Sequence, residues 1–125
     1  MRAFVAEVMP AIVGTRRHDG SVQMNPIWYE YRDGHFWLNS WEVSDWMRHV
    51  ERDGDVTLLL MDPKNAGRWA QVQGKLVQAS PELGAEHIDA LSVRYTGQPY
   101  DYRRNPRPRV RLQIEPMRIT GYIDR

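Results

Sequence analysis

The chain has 125 residues, 17 Lys and Arg against 16 Asp and Glu for a net charge of +1, and no cysteine. That length bounds it to one domain, residues 1–125, with room for a core but little to enclose a cofactor as well, so a subunit interface is the expected source of any missing wall. Near-neutral charge excludes a global field that recruits nucleic acid or an anionic membrane, and the lack of cysteine excludes disulfides, thiolate nucleophiles and thiolate metal sites.

Ala3 to Glu7 reads as the last turn of a helix, ended ahead of the Met9-Pro10 step because the residue before proline avoids helical backbone. Ala11 to Arg16 is the first strand. Asp19-Gly20 then supplies the positive φ angles of a tight hairpin, and Val22 to Tyr31 forms the second strand. A second turn at Arg32-Asp33-Gly34 leads into an aromatic third strand, His35 to Ser40, so these three strands are expected to form a β-meander. On the second strand Val22, Met24, Pro26 and Trp28 share one face and Gln23, Asn25, Ile27 and Tyr29 the other. Neither face is wholly polar, and both are expected to be covered. Pro26 cannot donate a ladder hydrogen bond, so it marks an edge, a bulge or a place where a ligand meets the backbone.

Val43, Trp46, Met47 and Val50 fall at i, i+3, i+4 and i+7 and predict a helix near residues 42–52, ended by Gly54. Asp55 to Met61 reads as a strand buried on both faces, stopped by Asp62-Pro63. Trp69 to Ala79 is the next strand, followed by a helix from Pro81 to Tyr95 with proline in its first turn and Ile88, Leu91 and Tyr95 as its apolar stripe. Residues 97–108 are irregular, Arg109 to Glu115 turns Val110, Leu112 and Ile114 inward, and Ile119 to Tyr122 adds a final strand. About six strands with two inserted helices, and connections too short for parallel crossovers, predict a mainly β, antiparallel barrel.

Five Trp and six Tyr against two Phe favour half-buried surfaces such as pocket walls and interfaces, since both rings carry a polar handle. No apolar run reaches the ~20 residues of a membrane span, and Met1 to Val5 is soon interrupted by Glu7, so no membrane association and a cytoplasmic location are expected.

Five segments carry a family resemblance. They are Asp19-Gly20-Ser21 with Pro26-Ile27-Trp28-Tyr29, then Gly34 through Asn39, Gly67-Arg68-Trp69 through Gly74, Asp89-Ala90-Leu91 with Arg94-Tyr95, and the tail from Val110 through Glu115-Pro116 to Gly121. In this order and spacing the chain resembles the pyridoxamine-phosphate-oxidase-like split β-barrels, which bind FMN or a deazaflavin, and in particular their small deazaflavin-dependent reductases. The resemblance implies a homodimer holding FMN or the deazaflavin coenzyme factor 420 in a cleft between subunits, and an oxidoreductase that transfers a hydride to or from a small molecule. It also implies that the backbone of Pro26, Ile27 and Trp28 lines the ring, and it places Arg68 and Trp69 among the cofactor-binding candidates.

The resemblance breaks at one point. Such proteins place an Arg-Lys pair against the cofactor phosphate at the start of the helix after the third strand, where this chain has Asp45 and Trp46. Losing two charge-assisted hydrogen bonds, at ~1.5–3 kcal/mol each, and adding a repulsive carboxylate puts that phosphate site in doubt. Ser40, Ser44 and the helix N-terminus, with charge from Arg48 or Lys75, are the remaining candidates for the anion. The alternative is a member that has lost the cofactor and uses the same cleft to bind a small ligand or for cofactor-free chemistry.

No residue stands out as catalytic. Glu30, Asp33 and Glu42 have no acid–base partner by spacing, and His18, His35, His49 and His87 lie in separate elements without metal-ligand spacing. Trp46, on its apolar stripe, reads as core or as filling space that a cofactor occupies in the proteins it resembles, and His49 as a solvated helix residue or a proton donor near the cleft. Arg103, Arg104, Arg107, Arg109 and Arg111 form the one basic cluster, either a solvated face or a segment that meets an anionic cofactor tail or substrate across the dimer. It is too local for nucleic acid.

Overall fold

A computed structural model describes residues 1–123. Seven strands form one sheet in the order β2-β1-β5-β6-β7-β4-β3, and every pairing is antiparallel. In chain order these are β1 (Ala11–Arg16), β2 (Val22–Ile27), β3 (Tyr29–Arg32), β4 (His35–Trp41), β5 (Asp55–Met61), β6 (Trp69–Ser80) and β7 (Arg109–Tyr122). Three helices accompany them: α1 (Arg2–Val5), α2 (Asp45–Asp53) and α3 (Gly84–Thr96), the last entered through a 3₁₀ turn at Pro81–Leu83.

The decisive feature is that β2 and β3, at opposite edges of this sheet, are separated in sequence by Trp28 alone. A flat seven-stranded sheet is roughly 29 Å wide at a strand spacing of about 4.8 Å, whereas the two peptide units from Ile27 to Tyr29 reach only about 7 Å. The sheet must therefore curl until its edges meet. It forms an antiparallel barrel that is split where β2 and β3 abut without pairing, as the antiparallel barrel read from the sequence requires. The expected meander is corrected accordingly. Both hairpins form, with Gly20 at φ 89° and Asp33 and Gly34 at φ 55° and 74°, but the second predicted strand breaks at Trp28 and its two halves serve opposite edges.

Phe36 and Leu38 of β4, Val56, Leu58 and Leu60 of β5, Ala70 and Val72 of β6, and Val110, Leu112 and Ile114 of β7 fill the interior. Phe4 and Val5 of α1 and Trp46, Met47 and Val50 of α2 join the same cluster. Strand β5 alternates rather than burying both faces, with Thr57 exposed and Leu59 only half-buried. Ser44 caps α2 by accepting from Met47 N–H, which starts the helix at Asp45 and leaves Val43 outside the stripe and exposed. The two predicted C-terminal strands are one, because a register shift at Gly74, opposite Pro116, absorbs the missing proline donor. On β2 the outer row of Val22, Met24 and Pro26 is exposed, with Met24 at 69%, so that face is not covered within one chain.

The crossover is held by α3. Tyr95 Oη accepts from Tyr29 N–H at 3.2 Å and lies 2.9 Å from the Met9 carbonyl and 3.3 Å from that of Tyr29. Arg94 donates through Nε to Tyr29 O at 3.1 Å and through its terminal nitrogen to Ala6 O and Glu7 O. Tyr29, itself fully buried, donates its phenol to Val5 O at 2.8 Å. Burial raises the phenol pKa of both tyrosines, which keeps them neutral donors. Tyr95→Phe deletes the hydroxyl while keeping the ring; it should lower stability by about 1–3 kcal/mol, because buried carbonyl and amide groups lose their partner. The check is a urea titration, with the midpoint shifted and the slope unchanged.

Candidate functional site

Strand β4 is buried on both sides, since α3 covers the face that the barrel does not use. Phe36 and Leu38 point into the barrel while Trp37, Asn39 and Trp41 point outward. Gly84, the first residue of α3, permits this packing: a Cβ there would overlap the Arg109 carbonyl, so only glycine lets the helix start rest on β7. Where α3, the split between β2 and β3, the start of α2 and the end of β4 converge, they enclose a cleft of about 970 Å³. This is at the upper end of the ~300–1,000 Å³ typical of small-molecule sites.

One wall of the cleft is the end of β2 with the crossover, Pro26, Ile27 and Trp28. Trp28 stacks on Tyr95 with ring centroids 5.4 Å apart and planes 13° from parallel, so its indole is fixed rather than free. Gln23 and Asn25, hydrogen-bonded to each other at 2.9 Å, line the same wall, and Ile88 and Leu91 of α3 contribute its apolar floor. At the opposite end stand Ser40, Ser44, Asp45 and Trp46. The Ser40 and Ser44 hydroxyls touch each other, and Ser40 donates to Trp41 O at 2.9 Å.

Tyr100, Arg107 and Arg109 complete the lining. Arg109 donates through Nε to Asn39 Oδ1 at 2.8 Å and approaches the Tyr100 hydroxyl at 3.5 Å. Its burial lowers the guanidinium pKa from the ordinary value, a mark of desolvation, although the group remains cationic. Among the described residues no carboxylate lies within ion-pair distance of Arg109 or Arg107. Arg107 instead lies 4.0 Å over the Trp41 ring.

A buried chain of polar groups supports Arg109 from behind. Arginine can only donate, so Asn39 turns its oxygen to Arg109 and its Nδ2 to Gly84 O at 3.0 Å and to His87 Nδ1 at 3.2 Å. With Nδ1 accepting, the His87 proton belongs on Nε2, which faces Glu30 Oε1 at 3.3 Å, close but poorly aligned. That contact, followed by the Arg32 guanidinium, holds the Glu30 carboxyl below its ordinary pKa against the opposing effect of burial.

The structure thus gathers Pro26, Ile27, Trp28, Ser40 and Ser44 in one cleft, and leaves Arg48, Arg68, Trp69 and Lys75 outside its lining. Arg48 is exposed on α2. Arg68 is engaged with Asp62 at 2.5 Å, Ile123 O at 3.0 Å and the Phe4 ring, a clamp on the chain termini of the barrel. Trp69 sits in the β6 ladder between Met61 and Tyr122, and Lys75 pairs with Asp55 at 3.1 Å on the surface. His49 bonds Thr15 at 2.9 Å and does not line the cleft. Asn39, Tyr95, Tyr100 and Trp41 are the residues that sequence reasoning passed over. The alternation of β4 carried a signal for Asn39, a polar residue on a strand with no polar face. Among the described residues no three His, Asp or Glu side chains form a metal-holding group, and no helix is long and apolar enough to cross a membrane.

A split antiparallel barrel with a roomy cleft against its crossover is the architecture of flavin-binding split barrels. The chain belongs to the pyridoxamine 5'-phosphate oxidase family, whose profile matches residues 1–122. Solved structures agree on the fold. An F420 reductase superposes with a TM-score of 0.84 at 19% identity, covering 95% of this chain and 94% of that one. The conserved hypothetical protein Rv2991 of Mycobacterium tuberculosis gives 0.76 at 26% identity, with 98% and 82% covered. A FAD-binding protein of Mesorhizobium loti gives 0.70 at 16% identity, with 96% and 89% covered. No curated protein matches the sequence significantly.

The Glu30 contact makes a pH prediction. Because the folded pKa is depressed, the carboxylate contributes stability above its ordinary value, and the contribution is lost as pH falls through the lowered one. Glu30→Gln should therefore be less stable than wild type near neutrality, with the difference shrinking as pH falls below the ordinary carboxylate range, followed as thermal midpoints across the range.

Proposed function

We propose that the protein is an oxidoreductase that binds a flavin-type cofactor, either the deazaflavin coenzyme factor 420 or FMN, against the β2–β3 crossover and transfers a hydride to or from a small organic molecule. Family membership supports the flavin-binding class. The observation that carries the reading for this chain is the cleft itself, walled by Pro26, Ile27 and Trp28 and large enough for a tricyclic ring. When bound, such a cofactor accepts or delivers the hydride, which the protein need not generate.

The residues then have separable tasks. Pro26 presents backbone with no N–H, so a ring can lie flat on it without burying an unpaired donor. Trp28, locked by Tyr95, limits the depth of entry, while Ile88 and Leu91 keep the floor dry. Tyr95 is not a free acid, because its hydroxyl is already committed to Met9 and Tyr29. The start of α2 does not fit a phosphate. Asp45 brings negative charge, and Trp46 is 7% exposed within the core cluster, so it cannot be exchanged for a cation without burying charge.

A second copy of this chain is the proposed cover for the open side of the cleft, since the row of Val22, Met24 and Pro26 on the adjoining edge strand is otherwise bare. Light scattering at micromolar concentration should give the mass of a dimer, and a monomer mass would contradict this. The alternative of a cofactor-free binder draws on Asp45 and Trp46, and the visible spectrum separates the two readings. Purified or reconstituted protein should show flavin or deazaflavin absorption. Trp28→Ala should weaken binding about tenfold or more, and Trp37→Ala little, because Trp37 bonds Arg32 O outside the cleft. If titration with both cofactors gives no binding, the redox reading fails.

A further inference from the structure

The cleft contains two guanidinium groups that no carboxylate among the described residues neutralises, and they sit on β7 and the segment before it rather than at the start of α2. We infer that Arg109 and Arg107 form the anion subsite of this cleft and hold the phosphate of its ligand. This rests on the proposal that the cleft takes a planar phosphorylated cofactor.

Three observations point the same way. Arg109 is desolvated and faces the cavity, yet it is held by a neutral amide oxygen instead of a carboxylate. Asn39 uses its remaining polar atom on Gly84 and His87, so it fixes the direction of the guanidinium without cancelling its charge. A desolvated cation aimed by neutral groups is what a charge-assisted contact to an anion requires, and it would be a poor arrangement for a purely structural arginine. The second guanidinium, Arg107, lies on Trp41, directly across the ladder from Arg109, which sets two cations at one end of the cavity. Third, the Trp41 indole N–H is buried with no acceptor among the described residues, a further donor beside the arginines.

The same end of the cleft also contains Ser40 and Ser44, whose hydroxyls can turn toward a phosphate oxygen, and one carboxylate, Asp45. Two cations against one exposed anion leave the subsite positive. Arg103 and Arg104, though adjacent in sequence, are solvent-exposed and line no part of this cavity. The charge that the resemblance places on α2 is thus supplied here by Arg109 of β7 and by Arg107 just before it, in the same cavity.

FMN and riboflavin differ only in the phosphate, so they isolate this contact. Wild type should bind FMN about tenfold or more tighter than riboflavin, and Arg109→Gln and Arg107→Gln should each reduce that ratio severalfold while riboflavin affinity holds. Arg103→Gln should leave the ratio unchanged. If Arg109→Gln does not fold, Arg107→Gln, on an exposed segment, decides the matter. A ratio near unity in wild type, or one that survives both substitutions, overturns the inference. Inorganic phosphate supplies an arm independent of any flavin: titration at constant ionic strength should change tryptophan emission saturably through Trp41, and Arg109→Gln should abolish the response. Should neither flavin nor factor 420 bind while phosphate does, the cofactor reading fails and the anion subsite stands. Should phosphate give no saturable response and neither a flavin nor factor 420 bind, both fail.

Discussion

The passage of the chain from β2 to β3 through a single residue constrains everything else in this protein. Because the two edges of a seven-stranded sheet must approach to within two peptide units, closure does not wait on optimal packing and is dictated by connectivity. Packing then has to satisfy the backbone groups that the abrupt turn leaves over. Arg94 and Tyr95 do so from α3, reaching Tyr29, Ala6, Glu7 and Met9 at once. The clamp ties the N-terminal helix, the crossover and α3 into one unit, and the space that remains beside it is the cleft. Stability and site geometry therefore share the same residues.

The opposite end of the cleft depends on a second close approach. Gly84 lets α3 settle on the Arg109 carbonyl, which brings His87 under Asn39 and Asn39 under the Arg109 guanidinium. From Glu30 on β3 to Arg109 on β7, the groups alternate as acceptor and donor with no carboxylate at the cavity end. An ion pair there would have silenced the charge. An amide holds it in place and leaves it available.

Much of the fold was legible because local chemistry was unambiguous. Asp19-Gly20 and Asp33-Gly34 encode left-handed turn positions, and the alternation of Val110, Leu112 and Ile114 or of Ala70 and Val72 points one face inward. The break at Trp28 was not legible, since Ile27-Trp28-Tyr29 continues a good strand pattern and only barrel closure interrupts it. Pro116 misled in the opposite direction, suggesting a strand end where a register shift carries β7 through. For the site, the aromatic wall was visible in Pro26-Ile27-Trp28, and the basic cluster was visible as composition. Which arginines face the cavity depends on strand parity and on α3. The same dependence sends Arg68 to Asp62 and Lys75 to Asp55, far from any ligand role that their positive charge suggested.

The central proposal is spatial: a planar ring would lie on the β2–β3 crossover with its anionic end directed to Arg109 and Arg107. A crystal structure of the protein grown with FMN tests it most directly. The account predicts ring density in van der Waals contact with the Pro26 to Trp28 backbone and a phosphate oxygen within hydrogen-bond distance of the Arg109 guanidinium. Ring density on another surface, or a phosphate seated on the α2 N-terminus beside Asp45 with Arg109 unengaged, would contradict it.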